Sequence, residues 1–406
     1  MEDRPRQGFE PDAPVPLSGV RVLDLSRLVA GNAISHVLAD FGADVLKIER
    51  PQRGDDLRNW QVAGVSTYWK VYARNKKSVT LDFRSDEGRA ILLDLVRSAD
   101  LLIENFVPGT LERMKLDPDI LHAANEKLVI VRVSGWGQTG PFRTKPGFGT
   151  LVEAMSGYAA MNGFGDRPPT LPPLALADMV SGLYGAAASM IALREVELKG
   201  GKGQVIDLSL FEPLLSILGP EAANYRLTGE VTKRLGSRSA TASPRNVYAC
   251  KDGKFVALSA SMQSMAERLF TVMGREDLIT DPRFATNTAR IAHSEEIDAI
   301  VGEFMARRSQ AENLALFDSL GVTVGPVCDI SDLVDHPFIR ERGVIVDVPD
   351  EQAGELPMHA VTPRLSRTPG ALRRPAPQLG EHNDEIYGAL GIGETDRERL
   401  KQSGTI

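Results

Sequence analysis

The stretch GVRVLDLSRLVAGNAISHVLADFGADVLKIE, residues 19–49, decides the fold. An apolar segment, RVLDL, runs into a loop, SRLVAG. The helix-like NAISHVLADFG follows and leads into a second apolar segment, ADVLKIE. The pattern predicts strand, helix, strand, with Asn32 as a helix N-cap. Such a βαβ unit sets its two strands side by side in a parallel sheet. The same order recurs in KSVTLDF (77–83), SDEGRAILLDLVRSA (85–99) and DLLIENF (100–106). Ser85 makes a good helix start, with Asp86 and Glu87 in the first turn. KLVIVRVSGWG (127–137) adds a further strand. The alternation predicts an α/β protein with helices on both faces of a parallel sheet.

Beyond it, GTLVEAMSGYAAM (149–161) and LALADMVSGLYGAAASMIAL (174–193) read as helices. GQVIDLSL (203–210) is a strand and FEPLLSILGPEAANYRLTG (211–229) a helix. LGSRSATASPRN (235–246) marks a boundary. VYACKDGKFVALSA (247–260) then reads as a hairpin turning at Asp252-Gly253, followed by helical segments to about Ser319. The expected organisation is a flexible arm at 1–16, a large domain at 17–205 and a linker helix region at 206–229. A smaller α+β domain follows at 230–325, and a return segment at 326–406 packs on the large domain. That tail is Pro-rich, with short strands.

The 406 residues carry a net charge of −7, which argues against general binding to nucleic acid or to a membrane surface. An anionic ligand would need a local basic pocket. The two cysteines, Cys250 and Cys328, show no metal or disulfide spacing and suit a reducing cytoplasm. The start lacks the apolar core of a signal peptide, and no apolar run reads as long enough to span a bilayer. The six histidines show no metal spacing, and His36 reads as a packed structural residue.

GWGQTG (135–140) matches GxGxxG, but Pro141 and the loop FRTKPG follow where a dinucleotide site needs a helix. Its glycines suit a sharp turn beside a ligand instead. Open parallel sheets bind ligands at the carboxyl ends of their strands. There the chain offers SRLVAGN, then Arg50 and Arg53, then Arg84, then Asn105 and Arg113. Together these could hold several phosphates, for which the planar guanidinium is suited. Asp178 stands alone at the mouth of a long apolar helix, with no further charge before Arg194. Helix capping and chemistry are both open to it.

The blocks PLSGVRVLDLSRLVAG, LADFGADVLKIERPQRGDDLR, NKKSVTLDF, ADLLIENFVPGTLERM, SGWGQTGP, ALADMVSGLYGAAASMIAL and GKGQVIDLSL resemble the class III CoA-transferases. That is the family of formyl-CoA transferase and the carnitine CoA-transferase. The likeness runs from about Leu17 to His382. It implies a Rossmann-like large domain with a smaller α+β domain, a ring-shaped subunit and an interlocked homodimer. It implies CoA transfer from an acyl-CoA donor to a carboxylic acid acceptor, with the thioester as substrate and no permanently bound cofactor. The family's catalytic aspartate falls on Asp178. Its CoA contacts fall on Val29, Ala30, Arg50, Leu81, Arg84, Asn105, Phe106, Arg113 and Lys145.

Two departures accompany the likeness. Relatives often carry Asp and Gln where this chain has Gly149 and Glu153, in KPGFGTLVEAMSG. The Gly-rich flap of formyl-CoA transferase has no counterpart here, and GSRSATASPRNVY occupies that region. Arg238 and Arg245 in it could pair a second substrate carboxylate or simply face solvent. The family's racemase branch uses a His–Asp pair, and its His would fall near Phe148, which has no proton to exchange.

Overall fold

The structure is a computed structural model that describes residues 4–406. The chain divides into two compact units, one of residues 1–158, 171–220 and 337–406, the other of 159–170 and 221–336. The first unit holds β1 (Arg21–Asp24), α1 (Ala30–Asp40), β2 (Asp44–Glu49), β3 (Lys76–Thr80), α2 (Asp86–Val96) and β4 (Leu101–Glu104). It continues with β5 (Val129–Ser134), α3 (Gly149–Met155), α4 (Leu176–Lys199) and β6 (Val205–Ser209). The sheet order is β3-β2-β1-β4-β5-β6, and every pairing is parallel. This is the doubly wound order, with its reversal between β1 and β4.

Successive strand residues point to opposite faces, so both faces carry a core. Val22, Val45, Leu101 and Val129 pack with Ile34, Leu38 and Leu193 on one side. Leu23, Leu46, Leu102 and Ile130 pack with Leu92, Leu95 and Val96 on the other. Ser85 caps α2 by accepting the Gly88 N–H at 3.0 Å. Asn32, by contrast, is not the cap of α1. The helix begins at Ala30, and the Asn32 amide donates to the Leu28 carbonyl and to Asp55.

α4 is longer than the sequence pattern indicated. Its 24 residues reach the length and apolarity of a membrane span, contrary to the reading above. It packs as a core helix against α1 at small residues: a Cβ on Gly185 would stand 2.5 Å from Ile34 Cδ1 and 2.9 Å from Leu208 Cδ2.

The second unit is α+β. Strands β7 (Arg245–Ala249), β8 (Phe255–Ser259) and β9 (Val324–Pro326) form an antiparallel sheet in that order. Gly253, at φ 78°, makes the β7–β8 turn. Val256, Leu258, Phe270, Ile297, Val301 and Phe317 form its core.

The boundaries differ from the expected ones. β6 lies inside the sheet and the units part after Pro220, so 206–229 is no single linker. Residues 159–170 join the second unit through a bridge from Phe164 to Leu235. The first three residues of the expected arm lie outside the described residues. The rest is bound: Gln7 N–H donates to the Asp347 carbonyl, Asp347 N–H to that of Pro5, and Arg4 pairs with the Asp347 carboxylate at 3.0 Å. The return segment starts at Pro337 and not at 326, since residues 326–336 belong to the second unit; it holds a hairpin, β10 (Ile345–Asp350) and β11 (Gly354–His359), and, among helices the sequence pattern did not suggest, Asn383–Ala389 and Glu394–Gln402. The first of these covers the edge strand β3, where Asn383 accepts the Thr80 N–H and Tyr387 donates to the Thr80 carbonyl.

Gly185→Val places two methyl groups where α1 and β6 already stand. Overpacking of this kind costs about 1–3 kcal/mol. Urea unfolding followed by circular dichroism checks it, and a midpoint equal to wild type would contradict the packing.

Candidate active site

The carboxyl ends of β1, β2, β3 and β4 open onto one cavity, beside the point where the strand order reverses. Leu25, Ser26 and Arg27 line it from β1, Arg50 and Gly54 from β2, Leu81, Phe83 and Arg84 from β3, and Phe106, Thr110 and Met114 from β4. Of the residues singled out from sequence, Arg50, Leu81, Arg84 and Phe106 therefore converge. Arg50 is held below its ordinary pKa, first by desolvation and then by the positive charges of Arg27 and Arg84. Like charges gathered at one wall are the electrostatic footprint of an anion site.

Arg27 escaped the sequence reading. Its guanidinium carbon sits 5.9 Å from the Phe106 ring centre, and its buried Nε has no protein partner. The signal was available, since Arg27 directly follows the first strand end. Asn105, at the end of β4, reaches across to the loop after β1. It accepts the Arg27 N–H at 2.9 Å and donates to the Arg27 carbonyl at 2.7 Å, so it holds the β1–α1 turn. Arg113 donates to Thr110, a cavity residue, at 2.8 Å. Lys145 lies outside the lining, with its ammonium 3.5 Å from the Phe142 ring centre.

The glycines of GWGQTG serve a turn and not a helix start: Gly137 and Gly140 have φ of 90° and 81°. Arg238 and Arg245 are committed within the second unit. Arg238 pairs with Asp298 at 2.7 Å, and Arg245 donates to the carbonyls of Ser237 and Arg238. His36 is buried against Tyr72, His359 and Asp40, and burial pushes its pKa down to about 3.

Val29 and Ala30 are buried and belong to a second feature, next along the same turn. The backbone N–H of Ala30, at the start of α1, faces the Asp178 carboxylate closely enough to lower its pKa. Asp178 lies in the first turn of α4 without capping that helix. The α4 start is instead met by Glu153, whose Oε1 accepts the Ala177 N–H at 3.0 Å. At the start of α3, a Cβ on Gly149 would stand 2.6 Å from Asp178 Oδ2. The carboxylate therefore occupies space that only glycine leaves at 149. Burial, and then the charge of Glu153, push the Asp178 pKa up to about 6, against the Ala30 N–H and its own, which lower it. This is a carboxylate that is ionised at neutral pH yet more basic than a solvated one.

The doubly wound sheet carries an arginine-lined cavity at its switch point and a half-buried carboxylate one turn away, features that suit an enzyme acting on an anionic ligand. The chain belongs to CoA-transferase family III, whose model matches residues 17–383. It is 39% identical to succinyl-CoA–D-citramalate CoA-transferase of Chloroflexus aurantiacus, over 97% of this chain and 98% of that protein. It is 33% identical to succinate–glutarate CoA-transferase of Agrobacterium fabrum, over 94% and 97%. A solved CAIB/BAIF family protein from Brucella suis superposes with a TM-score of 0.82 at 33% identity, over 93% of this chain and all of that one. The protein is a class III CoA-transferase and moves CoA between acyl-CoA and carboxylic acids.

Gly149→Ala forces the Asp178 carboxylate off its seat. CoA transfer is expected to fall by about tenfold or more, because displacements near 1 Å carry such costs. CoA affinity should stay near wild type. Steady-state kinetics with a CoA titration separates the two, and an unchanged kcat would contradict the seating.

Proposed function

We propose that Asp178 is the nucleophile and carries CoA and acyl groups covalently. Its carboxylate attacks the thioester carbonyl. The acyl carbon bonds to Asp178 oxygen, the C–S bond breaks, and CoA leaves as thiolate. The thiolate then attacks the Asp178 carbonyl carbon, giving an aspartyl-CoA thioester and releasing the donor acid. The acceptor carboxylate attacks that thioester, frees the thiolate again and forms a second mixed anhydride. Attack of the thiolate on the acceptor's acyl carbon releases the new acyl-CoA and restores Asp178. The observation that carries this reading is the Asp178 carboxylate seated where Gly149 leaves room and facing the Ala30 N–H, on the turn that also bears Arg27 of the cavity. Once Asp178 is acylated, that N–H faces developing oxyanion charge, a role worth several kcal/mol in other acyl-transfer sites.

The arginines Arg27, Arg50 and Arg84 would take the phosphates of CoA, with Leu81 and Phe106 as apolar lining. Arg113 and Lys145 would act at the rim. The named relatives use succinyl-CoA with hydroxy- or simple dicarboxylic acids. That supports a dicarboxylic donor such as succinyl-CoA and a dicarboxylic acceptor. Exposed Leu183, Tyr184 and Ile191 on α4 support assembly with a second copy. A racemase reading is disfavoured by Phe148, which sits 67% exposed at the start of α3 and cannot exchange a proton.

Asp178→Ala should abolish exchange of labelled succinate into succinyl-CoA while the far-UV spectrum stays native. Wild-type enzyme incubated with succinyl-CoA should yield a hydroxylamine-sensitive adduct on Asp178 by peptide mass spectrometry. Exchange without any such adduct would sink the covalent route.

Arg27→Ala and Arg84→Ala should each raise the CoA Kd by about tenfold or more, as expected for one charge-assisted contact. Calorimetric titration with CoA measures this. Affinity unchanged in both variants would move the phosphate site elsewhere.

A further inference from the structure

Gly149 and Glu153 are separated by one turn of α3, and both bear on Asp178. The first leaves room for its carboxylate. The second is 3% exposed and accepts the peptide N–H of Ala177, the residue before Asp178. Among the described residues, the Glu153 carboxylate is met by that amide and not by a cation. A second carboxyl group is thus buried beside Asp178, with a peptide amide and not a cation as its partner.

The other titratable groups on elements packed against α4 are occupied. On α1, His36 lies by Asp40, and Asp40 pairs with Arg74. On β5, Arg132 pairs with Glu104 and Glu112. On β6, Asp207 accepts the Gln138 N–H, and on the helix after it Glu212 accepts from Ser209. On α4 itself, Arg194, Glu195, Glu197 and Lys199 lie at the far end. Glu153 is the charged side chain that acts on Asp178.

We propose that Glu153 is a positioning residue for Asp178: it fixes the first turn of α4 and, by its own charge, sets the lower pH limit of CoA transfer. The proposal rests on Asp178 being the nucleophile. A negative charge at 153 favours the protonated, non-nucleophilic form of Asp178. With burial it brings that carboxyl up to about 6. The same basicity makes the ionised form a better nucleophile at neutral pH. Glu153 therefore trades activity in acid for reactivity near pH 7.

The test is Glu153→Gln. Glutamine keeps an oxygen for the Ala177 N–H and keeps the volume, but removes the charge. The acid limb of the kcat/KM profile should move to lower pH, with an unchanged melting temperature. The ratio of variant to wild-type rate should therefore rise from pH 7.5 to pH 5. Titration of the acceptor acid is common to both enzymes and cancels in that ratio. Glu153→Ala, which also loses the acceptor oxygen, should lower kcat at every pH. If Glu153→Gln fails to fold, Glu153→Met supplies the uncharged comparison. The Asp178 adduct is trapped in parallel. No adduct in wild type overturns the nucleophile assignment. An adduct with acid limbs that superimpose overturns the role of Glu153 alone.

Discussion

The site depends on one buried carboxylate, Asp55. Its oxygens take the Leu28 and Leu57 N–H groups at 2.9 Å each and the Asn32 amide at 2.7 Å, and Lys47 stands 3.1 Å away. Burial opposes its ionisation, but Lys47 and the Leu57 and Leu28 amides outweigh that, and the carboxyl stays below its usual range. Lys47 also pairs with Asp24 at the end of β1, at 3.1 Å. Two ions hidden from water repay their desolvation only when their remaining hydrogen bonds are satisfied. Here they are, and the result is geometric. Leu28 is held at φ +61°, a conformation that costs a branched side chain about 1 kcal/mol or more. The turn it makes sends Arg27 to the cavity and the Ala30 N–H to Asp178.

Asp178 and the arginine-lined cavity are therefore not two features placed near each other. They are the two ends of one four-residue turn, clamped from below by Asp55 and from the side by Asn105. Loosening that clamp would misalign both binding and chemistry. A loss at Asp55 should accordingly resemble a defect in substrate affinity and in turnover together. A loss in the arginines should affect affinity first.

Much of this was legible in the sequence. The βαβ pattern of residues 19–49 predicted the sheet, because apolar strand runs flanked by helical periodicity have few other solutions. The strand-end arginines were visible, since the doubly wound topology dictates where strand ends gather. What escaped was set by contacts distant in sequence. Nothing local marks Asp55 as the anchor of Leu28, or Asn105 as a brace for Arg27. Asp178 looked like a helix cap because of its position, yet Glu153 serves that start, from a different helix. The join of residues 159–170 to the second unit rests on the bridge between Phe164 and Leu235, which no periodicity announces.

Why should Asp178 be drawn out of water against its own ionisation? A solvated carboxylate is ionised at pH 7 but weakly basic, and water shields it. Moving it into the protein raises its basicity and strips its solvent, at the risk of neutralising it. The N–H groups of Ala30 and Asp178 limit that rise, and the carboxyl settles at about 6. At pH 7 about nine-tenths of such groups are ionised, so little of the charged form is lost. A carboxyl held one unit higher would be half protonated at the same pH. A much lower one would gain nothing in ionised fraction and lose nucleophilic strength. The opposed effects of burial, Glu153 and two amides thus leave Asp178 more basic than a solvated carboxylate and still largely charged at neutral pH.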